Sequence, residues 1–390
     1  MKVLVQGGEI QNALTVVQSL GRNGATVVVG AKYKKTISLY SKYCKKHFHY
    51  PCPKNNPDAF IKCMVSEVKK QDYDVLISLG EEGMLELSKH RALFLPYVKF
   101  PIADNETLLK AYNKEETLKI ALENNIPCPK TYFINDVEDV KKIKDELIFP
   151  VIMKPTKSEG SQGLRYVTIK GDLIETYEKT TKAFGQMIIQ ELLPPGGATY
   201  GFEGLFNENS EPRAIFVHKR LREFPITGGP STFRVGVKNQ EIEMLGTRLL
   251  QSIGWYGVAM VEFKVDPRDN TPKLMEINPR FWGSLPLSIA SGVDFPYLLC
   301  KMAINGDIIP VHDYKKGVKA RLLFYKDFKY LLAVMKGLAT PWGYQSPDRL
   351  ITLYEFLKFY EKNIVYDNLS WDDPIPGILK ILSPIFRPYY

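Results

Sequence analysis

Two glutamates and an asparagine could form a cation site in the second half of the chain. Glu262 and Glu276 each lie between two apolar residues, and Asn278 follows Glu276 by two positions. Residues two apart in an extended strand share one face, so Glu276 and Asn278 should point the same way. If the strand of Glu262 is a neighbour, three oxygen ligands of the kind that Mg²⁺ prefers converge. The alternative is two unrelated glutamates that face solvent, but an acid within an apolar strand is costly unless it is paired.

A lysine followed by a glycine-containing segment is the second candidate for chemistry. Lys154 ends the apolar run 151–154, and the segment Ser158–Gly163 follows it. A lysine supplies a point charge for a polyphosphate, and glycines let backbone N–H groups approach its oxygens. No G-K-[ST] motif opens a helix here, so this is not a Walker A sequence. An ordinary hairpin loop after a strand-end lysine remains an equally open interpretation.

Taken together, these motifs resemble those of a known enzyme family. The residues that carry the resemblance are Lys154, the segment Ser158–Gly163, the run Gln190–Leu193, Glu262 and the run Glu276–Arg280. They look like the ATP-grasp enzymes, and most closely like the carboxylate–amine ligases related to the carbamoyl-phosphate synthase large subunit. The resemblance extends from residue 1 to about residue 310.

The resemblance implies a fold of α/β and α+β class with ATP-grasp architecture. This architecture consists of an N-terminal Rossmann-like pre-ATP-grasp domain, a small lid lobe and a C-terminal catalytic lobe. The expected divisions are a pre-ATP-grasp domain over 1–105, linker helices and lid lobe over 106–195, a catalytic lobe over 196–310, and an extension of unknown role over 311–390.

The resemblance also implies roles for individual residues. The expected ATP-binding residues are Lys114, Lys154, Ser158, Gly160, Ser161, Gly163, Glu191 and Leu193. Glu191 would accept from the adenine amino group, and the Leu193 backbone would meet the ring edge. Magnesium, as one or two ions with Mn²⁺ as a substitute, would be held by the carboxylates of Glu262 and Glu276 and by Asn278. Arg280 would be catalytic and would stabilise the transferring phosphoryl group or the acyl phosphate.

One position departs from the family pattern. The family often has an acidic residue about seven positions after the adenine glutamate, where it holds the ribose hydroxyls. The corresponding stretch 194–199 contains no acid in this chain. Either Glu203 substitutes for it or the ribose is held differently.

The implied activity is that of an ATP-dependent carboxylate–amine ligase, which forms a carbon–nitrogen bond through an acyl phosphate and releases ADP and phosphate. Lys219, Arg220 and Arg222 are weaker candidates for binding the substrate carboxylate, because a guanidinium fork matches a carboxylate. A plain surface charge cluster is the competing interpretation of these three. The alternative for the whole chain is a non-catalytic ATP-binding protein on the same fold.

Two further hypotheses concern the ends of the chain. The pair Gly7-Gly8 invites a nicotinamide-cofactor interpretation, but the surrounding sequence lacks the full G-x-G-x-x-G signature. The aromatic and basic stretch 324–330 could lie on a membrane surface. A helix packed on the third domain is the favoured interpretation of that stretch.

The local patterns predict which elements position these residues. Strands are expected at 2–6, 25–29, 74–78, 150–154, 164–169, 187–190, 200–206, 214–218, 258–265 and 273–277, and helices at 58–70, 80–90, 108–124, 137–147, 172–184 and 241–253. The alternation before residue 100 predicts a parallel sheet with right-handed crossovers. The basic stretch 32–46 is expected to be a solvated loop and helix face, and 228–232 a glycine-rich loop.

Composition favours a soluble cytoplasmic protein. The 390 residues are 45% apolar and 24% charged, with 52 Lys and Arg against 43 Asp and Glu, a net charge of +9. The five cysteines form no C-x-x-C pair and the five histidines no H-E-x-x-H, so a histidine-built zinc site is not expected. We expect no transmembrane segment and no nucleic-acid partner. Small carboxylate and amine substrates are the expected partners, and a homodimer is the default assembly.

Overall fold

Three β-sheets organise the chain. The computed structural model describes residues 1–157, 162–340 and 342–382. A four-stranded parallel sheet comes first, a four-stranded antiparallel sheet second, and a seven-stranded mixed sheet last.

The first sheet has the order β3-β2-β1-β4, with all neighbours parallel. Its elements are β1 (Lys2–Gln6), α1 (Ala13–Arg22), β2 (Thr26–Ala31), β3 (Cys44–His49), α2 (Pro57–Lys70), β4 (Val75–Ser78) and α3 (Glu81–Lys89). The parallel sheet agrees with the sequence-based expectation. The interpretation of 32–46 as loop and helix face is wrong in part, because β3 begins at Cys44. Its lysines are exposed on an edge strand, so no apolar alternation marked it.

The second sheet has the order β5-β8-β6-β7 and forms a small lobe. The elements here are α4 (Asn105–Tyr112), α5 (Lys114–Glu123), β5 (Thr131–Phe133), α6 (Val137–Ile143), β6 (Val151–Pro155), β7 (Arg165–Val167), α7 (Leu173–Phe184) and β8 (Met187–Glu191). The single helix expected over 108–124 is wrong, because the chain divides at Asn113. This residue is extended, and its side chain accepts from the Glu115 N–H and caps α5.

The large sheet has the order β13-β12-β9-β10-β11-β14-β15. Its elements are β9 (Thr199–Phe206), β10 (Pro212–Glu223), β11 (Ser231–Val237), α8 (Gln240–Ile253), β12 (Gly257–Val265), β13 (Pro272–Asn278), α9 (Leu285–Ala290), α10 (Phe295–Asn305), β14 (Lys319–Arg321), α11 (Phe328–Lys336), α12 (Arg349–Leu357), β15 (Ile364–Tyr366) and α13 (Pro374–Leu382). Strand β10 continues five residues past the expected end at 218. The loop expected over 228–232 ends in strand β11, which begins at Ser231.

The described residues after residue 310 pack against the rest of the molecule. Strands β14 and β15 extend the large sheet, and α11 packs through Tyr330 and Val334 against Ile226. This packing agrees with the favoured interpretation of the stretch 324–330. No helix in the described ranges has the length and apolar character needed to cross a bilayer.

The apolar cores show which parts are joined. One core runs from the first sheet to the large sheet and includes Leu4, Phe60, Phe202 and Trp255. The small lobe has a separate core around Met153 and other buried residues. The first and large sheets therefore form one packed unit, on which the small lobe is placed as its own layer.

Candidate active site

A cavity of about 1110 Å³ lies where the three sheets meet. Residues from all three sheets line it, including Glu9 after β1, Lys154 on β6, and Glu262 and Glu276 on the β12–β13 hairpin. A cavity of this size and position is the default candidate for a ligand site.

The β12–β13 hairpin brings the two predicted acidic ligands face to face. Glu262 lies directly opposite Glu276 in the strand register, and Asn278 lies opposite Met260. The Asn278 side-chain amide donates to Glu262 Oε1 at 3.3 Å and to Glu276 Oε1 at 3.4 Å. The three side chains therefore converge, as the alternation along each strand predicted.

Positive side chains adjoin this acidic pair. Arg220 Nη2 lies 2.5 Å from Glu262 Oε2, and Lys114 Nζ lies 4.0 Å from Glu276 Oε2. Burial raises the pKa of Glu262, and the charge of Glu276 acts in the same direction while Arg220 opposes it. A bound cation would favour the ionised form of both acids, so the pair suits a divalent ion.

The donor chemistry fits magnesium better than a transition metal. Within residues 1–157, 162–340 and 342–382, no three His, Cys, Asp or Glu side chains are grouped as a metal site would require. The oxygen donors at this point are the carboxylates of Glu262 and Glu276 and the Asn278 amide. Hard cations accept such a set and complete their coordination with phosphate and water.

Two lysines line the cavity from the side of α5 and β6. The Lys154 ammonium is buried and donates to Gln190 Oε1 at 2.7 Å. Burial lowers the pKa of Lys154 to about 8, although the nearby Glu276 carboxylate acts in the opposite direction. Lys114 begins α5, and its backbone N–H donates to the Thr156 carbonyl at 2.8 Å, which ties the helix to the end of β6.

Glu191 ends strand β8 beside the same cavity. Its carboxylate accepts from the Lys130 N–H at 2.8 Å and from Arg268 Nη2 at 2.9 Å, and lies 3.5 Å from Lys273 Nζ. Burial would raise the pKa of Glu191, but these partners lower it. Leu193 is buried and lines the cavity two residues further on. The adenine roles of Glu191 and Leu193 remain predictions.

The residue considered for the ribose has other contacts. Glu203 is fully buried on β9, and its Oε1 accepts from Ser284 Oγ at 2.7 Å and lies 2.9 Å from His218 Nδ1. His218 is itself buried and lines the cavity. Burial lowers the pKa of His218.

Arg280 connects the large sheet to the first domain. Its Nε donates to Glu81 Oε1 at 2.7 Å, and its Nη1 donates to the Phe281 carbonyl at 3.1 Å. Glu81 is buried in the first turn of α3. Sequence analysis did not single out Glu81, and its position directly after β4 and Gly80, at the carboxyl edge of a parallel sheet, was the available signal.

The three weaker candidates on β10 separate in the structure. Arg220 faces Glu262 in the cavity. Arg222 donates to Asp327 Oδ2 at 3.1 Å and lies over the rings of Phe233 and Tyr330. Lys219 points to the opposite face of the strand, because alternate residues face opposite sides. Its proposed substrate contact stays a prediction.

The remaining predicted phosphate contacts lie in the segment after β6. Ser158, Gly160 and Ser161 lie outside the described residues. Gly163 has φ +73°, and a Cβ there would meet the Pro155 and Phe184 side chains. This position therefore needs glycine for the turn that leads into β7.

The cavity also has a wall that sequence analysis did not anticipate. Six described residues after residue 323 line it: Lys326, Tyr330, Trp342, Tyr344, Pro347 and Lys380. No motif marked these positions, because aromatic and basic residues are equally common on ordinary helix surfaces.

Comparison with known proteins identifies a matching family model and related enzymes. Residues 210–323 match a family model described as ATP-grasp in the biosynthetic pathway with Ter operon. The chain is 25% identical to D-aspartate ligase of Enterococcus faecium over 248 residues, which are 57% of this chain and 58% of that protein. It is 24% identical to the carbamoyl phosphate synthase large chain of Helicobacter pylori over 338 residues, which are 83% of this chain and 30% of that protein.

The fold is also similar to a solved structure. The biotin carboxylase domain of 2-oxoglutarate carboxylase from Hydrogenobacter thermophilus, in complex with MgADP and bicarbonate, superposes with a TM-score of 0.66 at 16% identity, covering 82% of this chain and 73% of that one. This likeness confirms the predicted arrangement of an N-terminal Rossmann-like domain, a lid lobe and a large C-terminal lobe. The chain spans 58% and 30% of the two curated relatives, so their activities do not transfer to it directly.

Proposed function

Since the chain belongs to the ATP-grasp superfamily, we propose that it is an ATP-dependent carboxylate–amine ligase that forms a carbon–nitrogen bond. The observation that carries the proposal is the convergence of Glu262, Glu276 and Asn278 with Arg220 and Lys114 in one cavity. D-aspartate ligase among the relatives supports an amino acid or a similar small molecule as substrate.

The proposed reaction has two steps. A substrate carboxylate oxygen attacks the γ-phosphorus of ATP, and the bond to the bridging oxygen breaks, so that ADP leaves and an acyl phosphate forms. An amine nitrogen then attacks the acyl carbon, the bond from carbon to the phosphate oxygen breaks, and the amine loses a proton to solvent. The products are an amide, ADP and phosphate. No side-chain nucleophile is needed, so the protein acts by positioning and by charge.

Glu262, Glu276 and Asn278 would hold magnesium. When bound, the ion would neutralise charge on the phosphate oxygens. Lys114 and Lys154 would bind phosphate oxygens from the side of α5 and β6. Because burial keeps the pKa of Lys154 near 8, an approaching phosphate would stabilise its charged form.

Arg280 would stabilise the transferring phosphoryl group or the acyl phosphate. The Glu81 carboxylate binds Nε, and the Phe281 carbonyl accepts from Nη1. These contacts fix the plane of the guanidinium before substrate binds, which favours stabilisation of charge that develops in the transition state. Glu81 is therefore a positioning residue, which acts through Arg280.

ATP turnover separates this proposal from the alternative of a non-catalytic ATP-binding protein. The full chain is incubated with Mg²⁺ and ATP, with and without a pool of amino acids and small carboxylates, and ADP and AMP are resolved. We expect ADP and phosphate only when the pool is present. AMP and pyrophosphate would instead indicate adenylation, and magnesium-dependent ATP binding without turnover would support the non-catalytic alternative.

A matched pair of variants gives the control. Glu276→Gln removes one proposed ligand, whereas Asp269→Asn changes an exposed acid on the turn between the same two strands. We expect turnover to be lost only in Glu276→Gln. Equal turnover in the two variants would contradict the proposed site.

A further inference from the structure

The wall of the cavity formed by the C-terminal segment, residues 323–382, has no assigned function. Lys326, Tyr330, Trp342, Tyr344 and Lys380 of this segment line the cavity that contains the acidic pair. The match to the family model ends at residue 323, so this wall lies outside the matched region. The residues of this wall can therefore give the chain a substrate preference of its own.

The C-terminal segment is fixed to the first domain. Asp372 forms an ion pair with Arg22 at 2.7 Å, and Asp373 accepts from Gln18 Nε2 at 3.0 Å and from Ser41 Oγ at 2.5 Å. Helix α13 begins directly after these two acids. Their contacts determine where α13 lies and so place Lys380 at the cavity.

The same segment is fixed to the other two lobes. Buried Asp327 accepts from Arg222 at 3.1 Å and from Arg321 at 2.6 Å in the large sheet. The Trp342 ring stacks on Tyr166 of the small lobe, with centroids 4.2 Å apart and an angle of 14°. Because it is held on three sides, the segment is a preformed wall of the cavity and not a loose tail.

Close to Lys380, the wall carries more positive than negative charge. Within the described residues, no carboxylate lies within 4.0 Å of Lys380, and Asp367 on its side is bound by Arg234 at 2.6 Å. Lys326 brings a second positive charge to the same wall. Burial lowers the pKa of Lys380 to about 8. The charge of Asp367 opposes this shift, and the charge of Lys326 adds to it. Lys380 is half-buried and its acidic neighbour Asp367 already pairs with Arg234, so a bound anion would offset the remaining positive charge.

We propose that the C-terminal segment forms an anion-binding subsite, in which Lys380 with Lys326 binds a carboxylate or phosphate group of the substrate other than the group that reacts. This inference rests on the proposed function and narrows the substrate to molecules with a second anionic group. The aromatic rings of Tyr330, Trp342 and Tyr344 form the apolar part of the same wall.

Binding of matched probes to the full chain with Mg²⁺ and ADP tests the subsite. Aspartate and succinate carry a second carboxylate, O-phosphoserine carries a phosphate, and asparagine and serine are the neutral counterparts. By calorimetry, we expect at least one acidic probe to bind about tenfold or more tightly than its neutral counterpart, as for a hydrogen-bonded ion pair. Whichever of the carboxylate and phosphate probes binds more tightly identifies the anionic group that the subsite prefers.

Variants locate the effect on Lys380. Lys380→Met should remove the preference for the acidic probe, and Lys380→Arg should restore most of it. Lys336→Met, which changes an exposed lysine at the end of α11, is the control and should leave the preference intact. Thermal melting of all three variants checks that they fold.

The outcomes separate this inference from the ligase proposal. Equal binding of acidic and neutral probes, or an unchanged preference in Lys380→Met, overturns the subsite even if ATP turnover is found. A preference that depends on Lys380 without any turnover upholds the subsite and contradicts the ligase proposal.

Discussion

The acids at the two ends of the β12–β13 hairpin lie in opposite electrostatic environments. Near the turn, buried Asp266 accepts from Arg268 Nε at 2.9 Å and lies 2.8 Å from Lys273 Nζ. These partners hold the pKa of Asp266 well below its usual range. At the other end, Glu262 and Glu276 face each other, and burial raises the pKa of Glu262 in spite of Arg220.

This difference distinguishes a structural acid from the acids of the proposed metal site. Asp266 receives enough positive charge from its own chain to be stable as a carboxylate, so it needs no ligand. In the facing pair at the cavity, burial and the charge of Glu276 keep the pKa of Glu262 raised even with Arg220 beside it, and a bound cation would favour the carboxylate form. Asp327, which is bound by Arg222, Arg321 and Thr232, is a second acid of the structural kind.

We expect the largest effect on turnover from substitution of Glu276, one of the two facing acids. Glu276→Gln should lower kcat of the proposed ligase roughly 10³-fold, because charge on the transferring phosphoryl group would lose its stabilisation. Asp266→Asn, at the other end of the hairpin, should leave the magnesium dependence of turnover unchanged. A similar loss of kcat at saturating magnesium in both variants would contradict the distinction between Asp266 and the facing acids.

The next largest effect is expected on the free energy of unfolding when Asp327 is substituted. Asp327→Asn should lower the free energy of unfolding by about 3 kcal/mol, because two buried arginines lose their carboxylate. Glu138→Gln, which changes an exposed ion pair with Lys141, is the control for loss of an acid. Urea unfolding measures both variants, and an unchanged midpoint in Asp327→Asn would contradict the structural role.

Acid unfolding sharpens the comparison at Asp266. Because Arg268 and Lys273 lower its folded pKa, the Asp266 carboxylate stabilises the fold above its ordinary pKa of 3.8. This contribution is lost as the pH falls from 3.8 towards the lower folded value. Urea midpoints measured between neutral and acid pH should therefore fall less steeply in Asp266→Asn than in the unmodified chain. If the urea midpoints of the two proteins fall equally with pH, the ion pairs of Asp266 do not stabilise the fold.

A smaller effect concerns the lysine opposite the facing acids. Since burial lowers the pKa of Lys154 to about 8, the free protein loses this positive charge above that pH. Affinity for ADP with Mg²⁺, measured by calorimetry, should weaken severalfold between pH 7 and pH 9. In Lys154→Arg the affinity should stay level over this range, because arginine remains charged. A parallel decline in both proteins would assign the pH dependence to another group.

Prediction from the sequence succeeded where a local pattern carried the information. The strands of the β12–β13 hairpin were placed within a residue of their observed ends, because apolar residues with single embedded acids mark them. Strand β3 was missed because its exposed lysines hide the alternation of an edge strand. The helix break at Asn113 was missed because the flanking residues all favour helix, and only the side-chain cap distinguishes the two helices.

The sequence by itself determined the kind of fold and the donors of the candidate metal site, since strand alternation and short motifs act over a few residues. Only the tertiary structure decided the partners of those donors. Arg280 meets Glu81 across 199 positions, and Asp373 meets Ser41 across 332. Such pairs depend on how sheets and helices pack against one another, and no periodicity in the chain encodes that distance. The same reason explains why Lys380, without any motif, lies in the cavity beside the predicted site.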